Sequence, residues 1–355
     1  MKGKVAVVLV NYHDYANKYL TACRDSLRAQ TYPADKFKIY IVDNDSTPDS
    51  YNYLKNTFSE ARILRRGDGN YSAANNFGFN EGLRDDCEYL VTLNMDTELD
   101  ANCLKELVSA LEKNQAAGIA QAKILLYPKN EKEKNEIKIN TLGNKVNFLG
   151  FGTTSCYNEV DRQIEGYPEI KGYASGCCFM AKKEVFQKIA GWNEEYYMYH
   201  DDIEFSLKTL LAGYKIILAP QARVFHKYEF TRSIKMLYYM ERNRYLLALS
   251  FYPLKMLILL KPVFILMAIG LMFYSIFKGW FLTWLKSVYY FHKPSTWLKI
   301  IEYRQKIRKI NSQPLVVLKK NISSRIDFLE IDNPILRLIV NPLLSLYWWL
   351  VKIVL

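Results

Sequence analysis

The sequence predicts an α/β fold: a mostly parallel central sheet with flanking helices, followed by a helical region of different character. Short apolar runs alternate with helical patterns through the first 120 residues. Repeated βαβ units of this kind imply a parallel sheet with right-handed crossovers. Charge sets the second part aside. Residues 1–226 carry 28 Lys and Arg against 30 Asp and Glu, whereas residues 227–312 carry 15 against 3. That middle segment accounts for the formal net charge of +12, so a boundary falls near 227–232.

Val5–Val10 is a continuous apolar run, as a strand buried on both faces requires. Leu20, Cys23 and Leu27 share one face of the helix that follows. Lys38–Asp43 (KIYIVD) is a second strand, residues 49–58 a helix, and Ala61–Leu64 a third strand. A helix over 71–84, a strand over Glu88–Leu93, a helix over 100–114 and a strand over Gly118–Ala122 continue the pattern. Residues 128–140, rich in Lys, Glu and Asn, read as a solvated loop, and Gly143, Gly150, Gly152 and Gly166 point to hairpins. From Gly172 a small-residue strand leads to a short helix over 183–190, a turn at Gly191, and a helix over 201–212. Gly213 suits the C′ position of that helix. The strand YKIILAP follows, and the segment closes at His226.

In parallel α/β sheets, ligands bind beyond the carboxyl ends of the strands. Three strand ends carry polar residues there: Asn11-Tyr12, Asp43-Asn44-Asp45 and Asn94-Met95-Asp96. The third is the densest, because YLVTL runs straight into Asn94, Asp96, Glu98 and Asp100. Acids at a turn are either solvated punctuation or oxygen ligands for a hard cation such as Mg²⁺ or Mn²⁺. A second acidic pair, Asp201 and Asp202, opens a helix, where the free N–H groups and the macrodipole favour negative charge. Two acids plus Glu204 exceed what a cap needs. Such a position also keeps a carboxylate ionised, as a proton acceptor must be.

The six cysteines form no CxxC pair and no His/Cys cluster, which argues against zinc and fits buried thiols in a reducing compartment. The N-terminal run VAVVLV is too short and wrongly ended for a signal peptide, so the chain is expected to start in the cytosol.

The ordered blocks VAVVLVNYH, VDNDS, GNYSAANNFG, LNMDTELD, ASGCCFMAKKEVF, GWNEEYYMYHDDIEFSLK, AGYKIILAP and VFH resemble the family 2 glycosyltransferases, in their rhamnosyltransferase-like branch. The resemblance covers residues 4–228. It implies a GT-A fold, which is Rossmann-like, and inversion at the anomeric carbon. By the same resemblance, Asp43 binds the nucleoside of the donor, Asn11 and Tyr12 flank the base, and Asn76 belongs to the donor loop. Asn94 and Asp96 occupy the family's DxD position in its N-x-D form. Asp96 is then the ligand that bridges Mn²⁺ or Mg²⁺ to the diphosphate, and His226 completes the metal or diphosphate site. Asp202 matches the catalytic base, with Asp201 beside it. The sequence departs from the family pattern at Met95 for Pro, at Asn70 for Gly, at Glu204 for Asp and at Asp201 for Glu. The last departure leaves the choice of base open between Asp202 and Asp201.

The implied reaction moves a sugar from a nucleoside-diphosphate donor, dTDP-rhamnose or a UDP-sugar, to a hydroxyl of a lipid-linked or cell-surface polysaccharide. One base with no positioned nucleophile predicts single displacement. A non-catalytic, nucleotide-sugar-binding membrane scaffold is the alternative. A dinucleotide oxidoreductase is disfavoured, because no GxGxxG follows Val5–Val10.

The catalytic domain is assigned to residues 1–228, a basic and apolar helical region to 229–312, and an amphipathic helical tail to 313–355. Residues 262–277 carry no charge, but sixteen helical residues span about 24 Å, short of the roughly 30 Å hydrocarbon core. Arg232–Arg244 before this run and Lys286–Lys309 after it both favour the cytoplasmic face. A peripheral or monotopic arrangement on the cytoplasmic face of the cell membrane satisfies both, with Trp280, Trp284, Tyr289 and Tyr290 at headgroup level. The final stretch, NPILRLIVNPLLSLYWWLVKIVL, reads as a second such helix, broken at Pro342. A helical hairpin packed on the catalytic domain, or on a second copy in a homo-oligomer, is the other way to cover these residues. Nucleic acid is not an expected partner, since no nucleic-acid-binding motif accompanies the basic charge.

Overall fold

The computed structural model describes residues 3–228, 236–328 and 334–355. The chain forms two compact units: Met1–Asn144 with Thr154–Tyr228, and Lys145–Thr153 with Glu229–Leu355.

In chain order the strands up to Tyr228 are β1 (Val5–His13), β2 (Phe37–Ser46), β3 (Arg62–Arg66), β4 (Tyr89–Leu93), β5 (Thr97–Leu99), β6 (Ala117–Leu126), β7 (Ile139–Thr141), β8 (Asn144–Asn147), β9 (Gly152–Thr154), β10 (Cys178–Lys182) and β11 (Lys215–His226). The helices are α1 (Tyr15–Arg28), α2 (Pro48–Thr57), α3 (Tyr71–Arg84), α4 (Cys103–Lys113), α5 (Glu131–Asn135), α6 (Lys183–Ile189) and α7 (Asp201–Leu211).

The sheet of the first unit runs β3-β2-β1-β4-β10-β6-β11-β5, with β7 on β6. It is mixed rather than mostly parallel. β3, β2, β1 and β4 are parallel neighbours, as are β6 and β11. β10 runs antiparallel between β4 and β6, and β5 and β7 are antiparallel additions. The cause is visible in the register. β10 starts with Cys178 opposite Leu93, at the carboxyl end of β4, and so must run back along the sheet.

The apolar periodicities form this core as their spacing requires. Val5–Leu9 are fully buried, and α1 presents Ala16, Leu20, Cys23 and Leu27 to the sheet. α3 lies so close to β1 that a Cβ on Gly78 would fall 2.4 Å from a Val8 methyl. The segment 128–140 is not simply a solvated loop: it holds α5 and leads into β7, where Asn140 is buried.

In the second unit, β8 pairs with β9 and with a short strand, Ile322–Ser323. The helices are Leu237–Phe251, Leu254–Phe277, Phe281–Tyr289, Pro294–Ile310, Pro314–Asn321 and Asn341–Val354. Of the basic segment beginning at Arg232, residues 232–235 lie outside the described residues. Buried Arg244 makes a two-pronged ion pair with Glu241, at 3.0 and 2.7 Å, and donates to the Leu149 carbonyl at 3.0 Å. The apolar run 262–277 belongs to a longer helix. Leu254–Phe277 passes through Pro262 without ending, and its 24 residues extend about 36 Å. Pro342 takes the first turn of Asn341–Val354, preceded by a π-turn over Leu336–Val340, so the helical path continues rather than breaks. Two helices, Leu254–Phe277 and Leu336–Val354, are long and apolar enough to cross a membrane.

Candidate active site

The carboxyl edge of the first unit's sheet gathers the polar residues. Asn11 and Asp43 are register partners at the ends of β1 and β2. Asn11 donates to Asp43 Oδ1 at 2.8 Å and accepts the Ala16 N–H at 2.9 Å. It is fully buried and steadies the Asp43 carboxylate, itself 2% exposed. Arg65 Nε stands 3.8 Å from Asp43 Oδ2, and its guanidinium stacks on Tyr51. Tyr12 is half-buried beside Gly69, which takes the left-handed conformation in the loop before α3 (φ 68°). Gly69 also needs its missing side chain, because a Cβ there would strike the Tyr197 hydroxyl at 2.3 Å. Asn70, the departure from the family's Gly, has φ −75° and caps α3 by accepting the Ala73 N–H. No glycine is required at that position.

Asn76 is engaged elsewhere. Its amide donates to the Trp192 carbonyl and Glu194 Oε1, both at 3.0 Å, and accepts the Trp192 N–H at 2.8 Å. It fastens the 191–194 turn to α3.

The acids of LNMDTELD divide by role. Asp96 is 3% exposed, and its Oδ1 lies 3.4 Å from His226 Nε2. The other ring nitrogen of His226 meets Asn140 Oδ1 at 2.9 Å. Because a carbonyl oxygen can only accept, Nδ1 donates to Asn140, which leaves Nε2 facing the Asp96 carboxylate. A proton on Nε2 or a cation between the two groups satisfies that pairing. The donor set, one carboxylate and one imidazole, suits a divalent ion that takes its remaining ligands from phosphate and water. Among the described residues no group of three His, Cys, Asp or Glu side chains forms a closed metal cage. Glu98 instead pairs with Lys227 at 2.8 Å, and Asp100 accepts the N–H of Asn102 in the turn before α4. Asn94 accepts the Tyr71 hydroxyl at 2.9 Å, and its N–H donates to the Cys177 carbonyl at 2.9 Å.

Asp201 and Asp202 open α7 behind a strained lead-in, where Tyr197, Tyr199 and His200 have φ of 66°, 60° and 62°. Such strain collects at functional sites. Asp202 is half-buried, accepting the Gly176 N–H at 3.2 Å and the Ile203 N–H at 2.9 Å. Burial pushes its carboxyl up to about 6 against the lowering pull of those N–H groups. Asp201 is 6% exposed; burial first, and the Asp202 charge second, push its carboxyl well above the usual range. Glu204 is fully buried and structural, paired with Lys208 at 2.6 Å and accepting the Asn193 N–H at 3.3 Å.

Tyr71, Asn140, Gly176 and Tyr197 join this site without having been singled out in the sequence. The Tyr197 carbonyl accepts the N–H groups of Tyr71 and Ser72, which ties the strained lead-in to α3. The one legible signal was the aromatic density of YYMYH before the acidic pair. The cysteines stay out of the chemistry: burial pushes the Cys23 thiol up to about 12 and raises that of Cys177 well above its ordinary value.

A mixed sheet with this edge defines a GT-A-type domain. The chain belongs to glycosyl transferase family 2: the profile of that description matches residues 6–190, just over half of its length. Curated relatives, one of them named as a rhamnosyltransferase, match parts of it. The O-antigen biosynthesis protein RfbC of Myxococcus xanthus is 27% identical over 213 residues, 57% of this chain and 16% of that protein. An N-acetylglucosaminyl-diphospho-decaprenol L-rhamnosyltransferase of Mycobacterium tuberculosis is 31% identical over 73 residues, 21% of this chain and 23% of the relative. The chain thus spans under a quarter of the length of either protein. Among solved structures, GalNAc-T7 with UDP, GalNAc and Mn²⁺ superposes with a TM-score of 0.51 at 17% identity, over 64% of this chain and 44% of the other. Staphylococcus aureus TarS 1–349 gives 0.50 at 12% identity, over 97% and 86%. At these identities the likeness is one of fold.

Proposed function

We propose that this protein is an inverting glycosyltransferase that uses a divalent metal and acts at the cytoplasmic membrane surface. The observation that carries the proposal is one sheet edge bearing Asp43, the Asp96–His226 pair and Asp202. Asp43, steadied by Asn11 and flanked by Tyr12, receives the nucleoside of a nucleoside-diphosphate sugar. Asp96 and His226 hold Mn²⁺ or Mg²⁺, which when bound offsets the charge of the departing diphosphate. Asn94, fixed through Tyr71, borders the donor, and Asn76 shapes the loop over it. Asp202 takes the proton of the acceptor hydroxyl. Its carboxyl, pushed up to about 6, is ionised at neutral pH yet basic enough to receive that proton. Asp201, more deeply buried and pushed higher, stays protonated and is a poor base.

The relative named as an N-acetylglucosaminyl-diphospho-decaprenol L-rhamnosyltransferase favours a rhamnose donor, which by the family resemblance is dTDP-rhamnose, and a lipid-linked sugar as acceptor. The second unit supports the membrane assignment. Leu254, Leu266 and Phe277 are 67%, 70% and 84% exposed on an apolar helix with Lys255 and Lys278 near its ends. Turnover with dTDP-rhamnose and UDP-sugars on a polyprenyl-diphosphate-linked N-acetylglucosamine acceptor tests the reading. Transfer with inversion supports it. Nucleotide binding without turnover for any pair would favour the scaffold instead.

A further inference from the structure

A cavity of about 370 Å³ lies wholly within the second unit, where the ends of four helices meet. Leu254 opens Leu254–Phe277, Arg304 and Arg308 stand one turn apart on Pro294–Ile310, and Val316 lies in the first turn of Pro314–Asn321. Ser250, near the end of Leu237–Phe251, completes the wall. The lining is mostly apolar, and its charged groups are the two arginines.

Neither guanidinium has a carboxylate partner among the described residues. Glu302, the single acid of that helix, is two residues from Arg304 and so on another face. Arg304 is half-buried and spends one N–H on the Leu249 carbonyl, leaving further donors of its five. Burial, and then the Arg308 charge, lower its pKa, as expected of like charges without a counter-ion. Ser250 adds an independent sign. It is 2% exposed, and its hydroxyl has no hydrogen-bond partner among the described residues. Buried polar groups are nearly always satisfied, so this hydroxyl marks a place for an external polar group.

We propose that the cavity binds the phosphate of an anionic lipid. Two guanidiniums and a hydroxyl suit phosphate oxygens, because arginine offers a planar fork of donors. The apolar surroundings favour a lipid over a free ion. From Leu254 an exposed stripe runs along its helix through Ile258, Ile265, Ile269 and Ile276, a path for acyl or isoprenoid chains. Lys261 interrupts that stripe with a side chain long enough to reach a headgroup. The proposal rests on the membrane reading of this unit and is independent of sugar transfer.

The test uses the full-length protein in flotation with neutral phosphatidylcholine vesicles and with the same vesicles carrying phosphatidic acid. Tighter partition to phosphatidic acid is expected, weakened about five- to tenfold by Arg308→Gln, an exposed position. Lys306→Gln removes a charge from the same helix outside the cavity and is expected to have a much smaller effect. Ser250→Val, neutral in charge, is expected to weaken phosphatidic acid binding about threefold. Equal losses for Arg308→Gln and Lys306→Gln would indicate a diffuse basic face and overturn the site. Displacement by inorganic phosphate as effective as by a short-chain phosphatidic acid would overturn the lipid assignment. Equal partition to both vesicles would overturn the site while leaving the membrane reading intact. No partition to either would overturn both.

Discussion

Asp202 and Asn94 are joined through two consecutive residues of one segment. Gly176 donates its N–H to Asp202 Oδ2 at 3.2 Å, and Cys177 accepts the N–H of Asn94 at 2.9 Å. The carboxylate assigned as base and the turn assigned to the donor diphosphate therefore share a single backbone support. That support exists because β10 runs antiparallel, starting at the carboxyl end of β4.

Asp202→Asn is expected to lower kcat by about 10²–10⁴-fold while nucleotide binding is retained. Asp201→Asn is expected to keep activity within about tenfold, because the amide resembles the protonated acid that burial favours there. Steady-state kinetics on both variants decide between the two residues, and the reverse order would exchange their roles.

The pH profile of kcat/KM follows from Asp202. The base works deprotonated, and burial pushes its carboxyl up to about 6. Activity is therefore expected to rise with pH through about 6 and to level off above it. A profile that stays flat well below that point would show that Asp202 does not carry the proton.

Asn140 holds His226 through the ring nitrogen that faces away from Asp96. Partners of this kind orient a metal-ligating imidazole, and their removal typically weakens metal binding about 10–100-fold. Asn140→Ala is expected to raise the Mn²⁺ concentration needed for half-maximal activity by that factor, with kcat restored at saturating metal. A lowered kcat with an unchanged metal requirement would separate Asn140 from the metal site.

Glu204 and Lys208 form a buried pair that also anchors the 191–193 turn, through the Asn193 N–H and the Gly191 carbonyl. Glu204→Ala leaves an uncompensated buried ammonium and is expected to destabilise the protein by about 3–5 kcal/mol. Denaturant unfolding reads this directly, and a loss below about 1 kcal/mol would mean that the pair is solvated after all.

Much of the first unit was legible because its signals are local. Val5–Val10, the Leu20/Cys23/Leu27 stripe and the 71–84 helix depend on periodicity, and they appear where periodicity put them. The direction of β10 was not legible, because a small-residue run states that a strand exists but not which way it enters a sheet. Asn140 was hidden for a similar reason. A polar, charged segment reads as solvated, and only pairing of β7 with β6 buries its end. The acids of LNMDTELD were visible as a group, but their separation into a site residue, an ion pair and a turn depends on Lys227 and His226, far along the chain. The resemblance assigns Asn76 to the donor loop, whereas it lies within α3 and its bonds to the 191–194 turn are set by tertiary contact. In the second unit, the uncharged run begins at 262, whereas the helix begins at Leu254 and carries Lys261 and Pro262 within it.

The most direct measurement is calorimetric binding of dTDP, UDP and GDP, each with and without Mn²⁺, to the wild type and to Asp96→Ala. The expected result is metal-dependent binding of one nucleotide, lost in the variant, which would also name the donor class. Binding that ignores both the metal and the substitution, or no binding at all, would contradict a divalent cation held at Asp96 and His226.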